Sequence, residues 1–336
     1  MSALPRLDGC SRPLRRAGRT ALSALCVAAA TPGVLAGAQA PHFRLPSAEI
    51  ERRLAAEPFQ IAAIDDNRWE DDRTQRAALR FRDGTILPVK WARSAEGGAA
   101  LNNQPAYEIA AYRLQALFLD REDWVVPPTV LRVMPVRLYR QLDPELGPEL
   151  GPTFEGTSSV LVVLQYWLDA VAPLERPDPA RLDDAAYARR LGALNVLTFL
   201  IRHADSNTGN VLIATAGEPR MFAVDNGVAF TSPDSPRGTL WKDLHVTRLP
   251  GGTVARLRGV DRTMLENAVA VVAQLRVDAG GRLVAMDPTP RRRPHLSADF
   301  TAGVVQIGLT DREIDGVWNR LQDLLRRVDA GEITTY

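Results

Sequence analysis

The sequence predicts an α+β protein built as two lobes, with a small antiparallel sheet and one helix in the first and a mainly helical second. Three observations carry that expectation. Short apolar runs bounded by turn residues fill the first half, apolar residues at helical spacing recur over 183–202, 253–274 and 310–328, and a Gly- and Pro-containing break separates two short apolar runs at 211–213 and 221–224. A length of 336 residues and a hydrophobic fraction of 46% provide enough chain and enough apolar surface for a substantial core. The net charge of +1 gives no nucleic-acid signal, and the basic run 291–293, without interleaved aromatics, reads as a solvated turn.

Taken in order, residues 1–40 read as an export peptide. Arg6, Arg12, Arg15, Arg16 and Arg19 precede an apolar stretch over 21–30, and small residues at Ala36, Ala38 and Ala40 offer cleavage sites. Pro32 and Gly33 break the stretch, which is too short to span a membrane stably. Both cysteines, Cys10 and Cys26, lie here, so the processed chain has no disulfide. The leader implies an exported protein, periplasmic or secreted. The remainder divides into a sheet lobe over 41–168 and a helical lobe over 169–336.

Within the first lobe, residues 84–90 form an apolar strand after an Asp83-Gly84 turn and end on Lys90. The chain holds only two lysines, Lys90 and Lys242, against 39 arginines, so a lysine invites a reason. Residues 105–119 have helical spacing and carry Glu108. Residues 125–137 and 159–164 read as strands, the second apolar enough to be buried on both faces. The tandem tetrapeptide over 144–151 reads as an exposed loop. In the second lobe, the helix over 183–202 leads directly into a loop with Asp205 and Asn210. The hairpin that follows returns the chain, so Asn210 before one strand and Asp225 after the other lie side by side and offer oxygen ligands to a hard cation. Thr310 and Glu313 have capping-box spacing at the head of the last helix. Taken singly, Asp205-x-Asn207-x-Gly209 and Asp225-Asn226-Gly227 also read as surface turns. Calcium-loop binding is disfavoured, since Ala216 stands where a bidentate Glu is needed, and no Gly-x-Ser-x-Gly elbow supports a hydrolase.

In the order Lys90, helix-borne Glu108, His203-x-Asp205, Asn210 and Asp225, the chain resembles the protein-kinase-like superfamily. The Asp-Asn-Gly triplet looks more like its secretory-pathway kinases and phosphatidylinositol kinases than like cytosolic kinases. The resemblance implies a two-lobed kinase-like fold that binds ATP with Mg2+ or Mn2+. Lys90 and Glu108 would serve the phosphates, the link at Gln165 the adenine, Asp205 would be the base, and Asn210 and Asp225 the metal ligands. It implies transfer of a phosphoryl or nucleotidyl group to a hydroxyl of a protein, sugar or lipid. Two departures matter. Where a Gly-rich phosphate loop should precede Lys90, residues 64–73 hold five acidic residues and no glycine, so Arg68 or Arg73 would have to cover the nucleotide, or the chain is an inactive pseudokinase acting as a binding module. Ala204 and Asn226 replace the Arg and Phe of the usual motifs, which argues against control by activation-loop phosphorylation.

Overall fold

The computed structural model of the chain describes residues 42–65, 74–142 and 150–336. The export leader, the acidic segment with Arg68 and Arg73, and most of the tandem tetrapeptide lie outside the described residues. Among those described, no helix is long and apolar enough to cross a membrane.

Five strands, β1 (Phe59–Ile64), β2 (Thr74–Phe81), β3 (Ile86–Arg93), β4 (Thr129–Pro135) and β5 (Ser159–Tyr166), form one antiparallel sheet ordered β1-β2-β3-β5-β4. Asp83 accepts the Thr85 amide at 3.0 Å and Gly84 takes φ +84°, which closes the β2–β3 turn and sets Arg76 opposite Lys90. Lys90 in turn opposes Gln165 of β5. Every residue of β5 is buried. Its side chains alternate: Leu161 and Val163 join one apolar cluster, and Val160, Val162, Leu164 and Tyr166 join another. The second cluster packs the sheet against α1 (Ser47–Ala56), through Ile50 and Leu54, and against α3 (Val136–Leu142). The first packs it against α2 (Pro105–Leu114), all but one of whose residues are buried. The strand expected over 125–137 is shorter at both ends, because Pro127 and Pro128 have no N–H for the ladder and the chain turns helical at Val136.

In the second half, Asp184 caps α4 (Ala185–Leu200) by accepting the Ala186 and Tyr187 amides at 2.9 and 3.3 Å. Strands β6 (Val171–Pro173), β7 (Val211–Ala214) and β8 (Met221–Ala223) make a small antiparallel sheet in which β7 and β8 are the expected hairpin. Strand β9 (Arg248–Leu249) leads into α5 (Gly251–Gly259). The helix expected over 253–274 is interrupted. Val260 is extended and Asp261 caps a new helix, α6 (Arg262–Val269), by accepting the Met264 amide at 2.7 Å. The last residues of that stretch enter β10 (Ala273–Val277), which joins β11 (Leu283–Ala285), β12 (Ala298–Thr301) and β13 (Val304–Ile307) in a four-stranded antiparallel sheet. The second half is therefore less purely helical than its periodicity suggested. Gly308 follows β13 where a Cβ would lie 2.0 Å from the Ala270 carbonyl oxygen, so no larger residue fits. Arg291, expected in a solvated turn, is instead half-buried, with its guanidinium donating to the carbonyls of Ala270, Leu296 and Leu309. Helix α7 (Asp311–Asp329) opens on the expected capping box, and β14 (Thr334–Thr335) pairs with β9.

Candidate active site

The sheet alternation aims Lys90 into the cleft beneath β3, on the face shared with Gln165 and Arg76. There its ammonium donates to Glu108 Oε1 at 2.5 Å and to Asp225 Oδ1 at 2.7 Å. Glu108 is buried, and its other oxygen accepts the Asn226 amide at 3.1 Å, so one carboxylate ties β3, α2 and the Asp225-Asn226-Gly227 turn together. Burial pushes the Lys90 ammonium down, but the Asp225 and Glu108 carboxylates together outweigh it and hold it above the usual lysine range. The Lys90 charge holds the Asp225 carboxyl below the usual carboxylate range, against the opposing effect of burial. Asp225 itself sits at φ +56°, a left-handed conformation uncommon for a non-glycine residue, and its side chain remains 49% exposed.

The loop bearing Asp205 begins where α4 ends. Arg202 adopts φ +48°, the His203 amide donates to Thr198 and the Arg202 amide to Phe199, a Schellman-type stop with Arg in the position usually taken by Gly. His203 is thereby buried. Its Nε2–H donates to the Val224 carbonyl at 3.1 Å, and burial pushes its pKa down, so the neutral ring ties this loop to the strand end before Asp225. Asp205 is also buried. Its Oδ1 accepts from Asn207 Nδ2 at 3.0 Å, and its Oδ2 accepts from Asn210 Nδ2 at 3.0 Å and from Arg237 Nη2. Three of the four lone-pair sites of that carboxylate are occupied, leaving one on Oδ1. Asn210 spends its amide N–H groups on Asp205, and the Val224 amide donates to the Asn210 carbonyl at 2.9 Å, so the hairpin closes with Asn210 beside the approach to Asp225.

Lys90, Gln165, Asn210, Asp225 and Arg237 all line a cleft of about 560 Å³. Neither Asn210 Oδ1 nor Asp225 Oδ2 accepts a hydrogen bond among the described residues. One amide oxygen and one carboxylate oxygen suit a small hard cation whose remaining ligands come from phosphate and water, and the described residues contain no cluster of three or more His, Cys, Asp or Glu that would hold a metal alone. Gln165 is buried and its carboxamide donates to Thr129 Oγ1 at 3.0 Å, so any contact it makes with a ligand is not through that donor. Beyond it, the Tyr166 and Trp167 amides are spent on the Pro128 and Pro88 carbonyls, while Leu168 N–H meets no acceptor among the described residues. Tyr166 is a core aromatic that also lines the cleft, and Trp167 lines it beneath the Arg76 guanidinium, 5.0 Å from its ring centroid. In the sequence His203 served only to place Asp205 and Asn207 read as a turn residue, while Arg237 and Arg76 were missed. Arg76 had no usable signal, since counting outward from a two-residue Asp83-Gly84 turn sets Ala77 opposite Lys90, whereas the three-residue loop 82–84 sets Arg76 there. The second lysine, Lys242, pairs with Asp234 away from the cleft.

No protein-family description matches the chain, and no curated protein does. Among solved structures, it is similar to that of hydra Fam20 with sugar, at 12% identity over 84% of this chain and 88% of that one, with a TM-score of 0.49. It is also similar to a MAP kinase from Leishmania major, at 15% identity over 54% of this chain and 48% of that one, with a TM-score of 0.26. At such TM-scores neither likeness carries weight, and any chemistry must be argued from the side chains themselves.

Proposed function

We propose that the chain is an exported, two-lobed kinase-like phosphotransferase that moves a phosphoryl group, or alternatively a nucleotidyl group, from ATP to a hydroxyl of a protein, sugar or lipid. The observation that carries this reading is the three-way contact of Lys90 with Glu108 and Asp225 beside a cleft that Asn210 also lines, with the buried Asp205 hydrogen-bonded to Asn210 and Arg237 of that lining. Residues drawn from a strand, a helix and two loops converge there, although nothing in the packing of either apolar cluster requires buried charge. Glu108 holds the Lys90 ammonium at a fixed point, where it neutralises non-bridging phosphate oxygens. Asp205 accepts the proton of an acceptor hydroxyl as its oxygen bonds to the terminal phosphorus and the bridge to the departing diphosphate breaks. Asp225 and Asn210 would hold Mg2+ or Mn2+, which when bound screens the phosphate charge.

The Arg237 contact on Asp205 favours a second reading, a binding module with an occupied base. Transfer from labelled ATP separates the two. Lys90→Met is a poor control, because it strands the buried Glu108 charge at a cost of about 3–5 kcal/mol. Asp225→Asn keeps the shape of the turn and is expected to lower labelling about 100-fold or more while leaving the melting temperature nearly unchanged. Equal labelling by both chains would remove the assigned metal site. No labelling by either, with nucleotide binding retained, would favour the binding module.

A further inference from the structure

Arg237 is a cleft residue that touches the proposed base, and its place is set locally. Ser235-Pro236-Arg237-Gly238 has the composition of a β-turn, with Ser first, Pro second and Gly fourth. The Gly238 amide closes that turn on the Ser235 carbonyl at 3.3 Å, and the Arg237 amide donates to Ser235 Oγ at 3.2 Å. The Ser235 amide in turn donates to the Ala204 carbonyl at 2.8 Å, which stitches the turn to the residue before Asp205. From there the side chain reaches Asp205 Oδ2, which it contacts through Nη2 alone. Its Nε and Nη1 meet no acceptor among the described residues, and the Arg237 side chain is 64% exposed against 2% for Asp205.

Asp205 does not need this guanidinium for its position, because the Asn207 and Asn210 carboxamides each hold one of its oxygens at 3.0 Å. As a base it is weakened by it, since a cation beside a carboxylate favours the ionised form. Of the three side chains on Asp205, Arg237 is the exposed one, so it is the one that can withdraw to admit an acceptor hydroxyl. A single, largely solvated contact is given up cheaply when the charge finds another anion. Glu108, Asp225 and Asp205 are three carboxylates against the one Lys90 ammonium, an excess that repels a polyphosphate unless further cations meet it. In near-attack geometry the phosphorus lies about 3–3.5 Å from the acceptor oxygen, which is itself hydrogen-bonded to Asp205. The non-bridging oxygens then come within reach of a guanidinium that has just left that carboxylate, and its fork of N–H groups matches two of them.

We infer that Arg237 is a further catalytic residue, one that exchanges Asp205 for the phosphoryl group in transit. It covers the base while no nucleotide is bound and donates to the non-bridging phosphoryl oxygens as the group passes to the acceptor. Arg237 itself forms and breaks no covalent bond: the acceptor proton goes to Asp205 and the diphosphate departs as before. The inference rests on the phosphotransfer reading and adds a residue to that site. Self-labelling of the full chain from γ-labelled ATP with Mg2+, followed over a range of ATP concentrations, tests it in the parent, Arg237→Gln and Arg237→Lys, and circular-dichroism melts confirm that each folds. Arg237→Gln is expected to lower the maximal rate about 100-fold or more, while the ATP concentration at half-maximal rate stays within about threefold of the parent's. Arg237→Lys, which keeps the charge, is expected to run about tenfold faster than Arg237→Gln. A maximal rate in Arg237→Gln equal to or above the parent's would make Arg237 a cap on the base and nothing more. A loss confined to the half-maximal concentration would make it a ground-state contact, and equally slow Gln and Lys variants would show that its charge is not what acts. Each of these three results overturns the inference and leaves phosphotransfer standing. No labelling of the parent overturns the phosphotransfer reading itself and the inference with it.

Discussion

In a chain so biased toward arginine, a lysine in an apolar strand marks a place where a compact ammonium is needed; the strand expected to end at Lys90 runs on to Arg93, and Lys90, within it, lies between two carboxylates at 2.5 and 2.7 Å. The same logic overreaches at Lys242, which serves a surface pair with Asp234. Lys90, Glu108, Asp205, Asn210 and Asp225 were legible because residue type and chain order together name them. Arg237 was not, because its role exists only once loops distant in sequence meet, and His203, visible as the residue two before Asp205, gave no sign of its bond to the Val224 carbonyl. His42 was equally illegible. It is buried, edge-on to Phe43 and Phe222, with no hydrogen-bond partner for either ring nitrogen among the described residues. Burial, and then the Arg220 and Arg190 charges, push its pKa from the ordinary 6.5 down to about 4. The unfolded chain therefore takes up this proton at a higher pH than the folded one. The contribution is fully present above about pH 6.5 and is lost progressively as the pH falls toward about 4, by up to about 3 kcal/mol. His42→Phe keeps an aromatic ring in the site, and the difference in urea stability between pH 7 and pH 4.5 is expected to shrink in the variant. An unchanged difference would show that His42 does not titrate in this window.

At the scale of elements, local signals were read correctly where the chemistry is local and misread where it is not. The capping box at α7 was visible because both partners lie within four residues, and it is present in full. The boundary at Val260–Asp261 and the strand β10 were hidden, since a short apolar run has the same appearance in a helix and in a buried strand. Spacing also understated Glu313. Besides accepting the Thr310 amide at 2.6 Å, it accepts the Tyr107 hydroxyl of α2 and, at 3.2 Å, the Thr231 hydroxyl of the segment after Asp225. It thus joins the start of α7 to the helix that carries Glu108. Thr310→Ala removes only the side-chain cap and is expected to destabilise by about 1 kcal/mol. Glu313→Ala also takes away the carboxylate acceptor of the buried Tyr107 hydroxyl, which keeps only its 3.2 Å contact with Thr231 Oγ1, and the loss is expected to be at least twice as large, about 2–3 kcal/mol. Denaturant midpoints of the two variants decide the matter: equal losses would mean that Glu313 acts as a helix cap and nothing more.

For the whole molecule, the strand β5 decides how the two apolar clusters behave together. Successive residues point to opposite faces, so Val162 belongs to the cluster under α1 and α3, and Val163 to the cluster shared with α2 and α4. Neither cluster can lose this strand without exposing the other. The buried Lys90–Glu108 pair adds a second tie between β3 and α2, and Glu108 also accepts the Asn226 amide of the turn after β8. The described fold is therefore expected to unfold as one cooperative unit, not as a sheet followed by helices. Buried tryptophans report on each side, Trp91 in the sheet cluster and Trp241 in the other. Val162→Ala and Val163→Ala each remove two methyl groups from fully or nearly fully buried sites and are each expected to destabilise by about 2 kcal/mol. Under a shared strand, either substitution shifts the fluorescence transitions of Trp91-only and Trp241-only chains to the same new midpoint, coincident with far-UV circular dichroism. A Val162→Ala chain in which Trp91 melts early while Trp241 keeps the parental midpoint would show that β5 does not couple the two clusters.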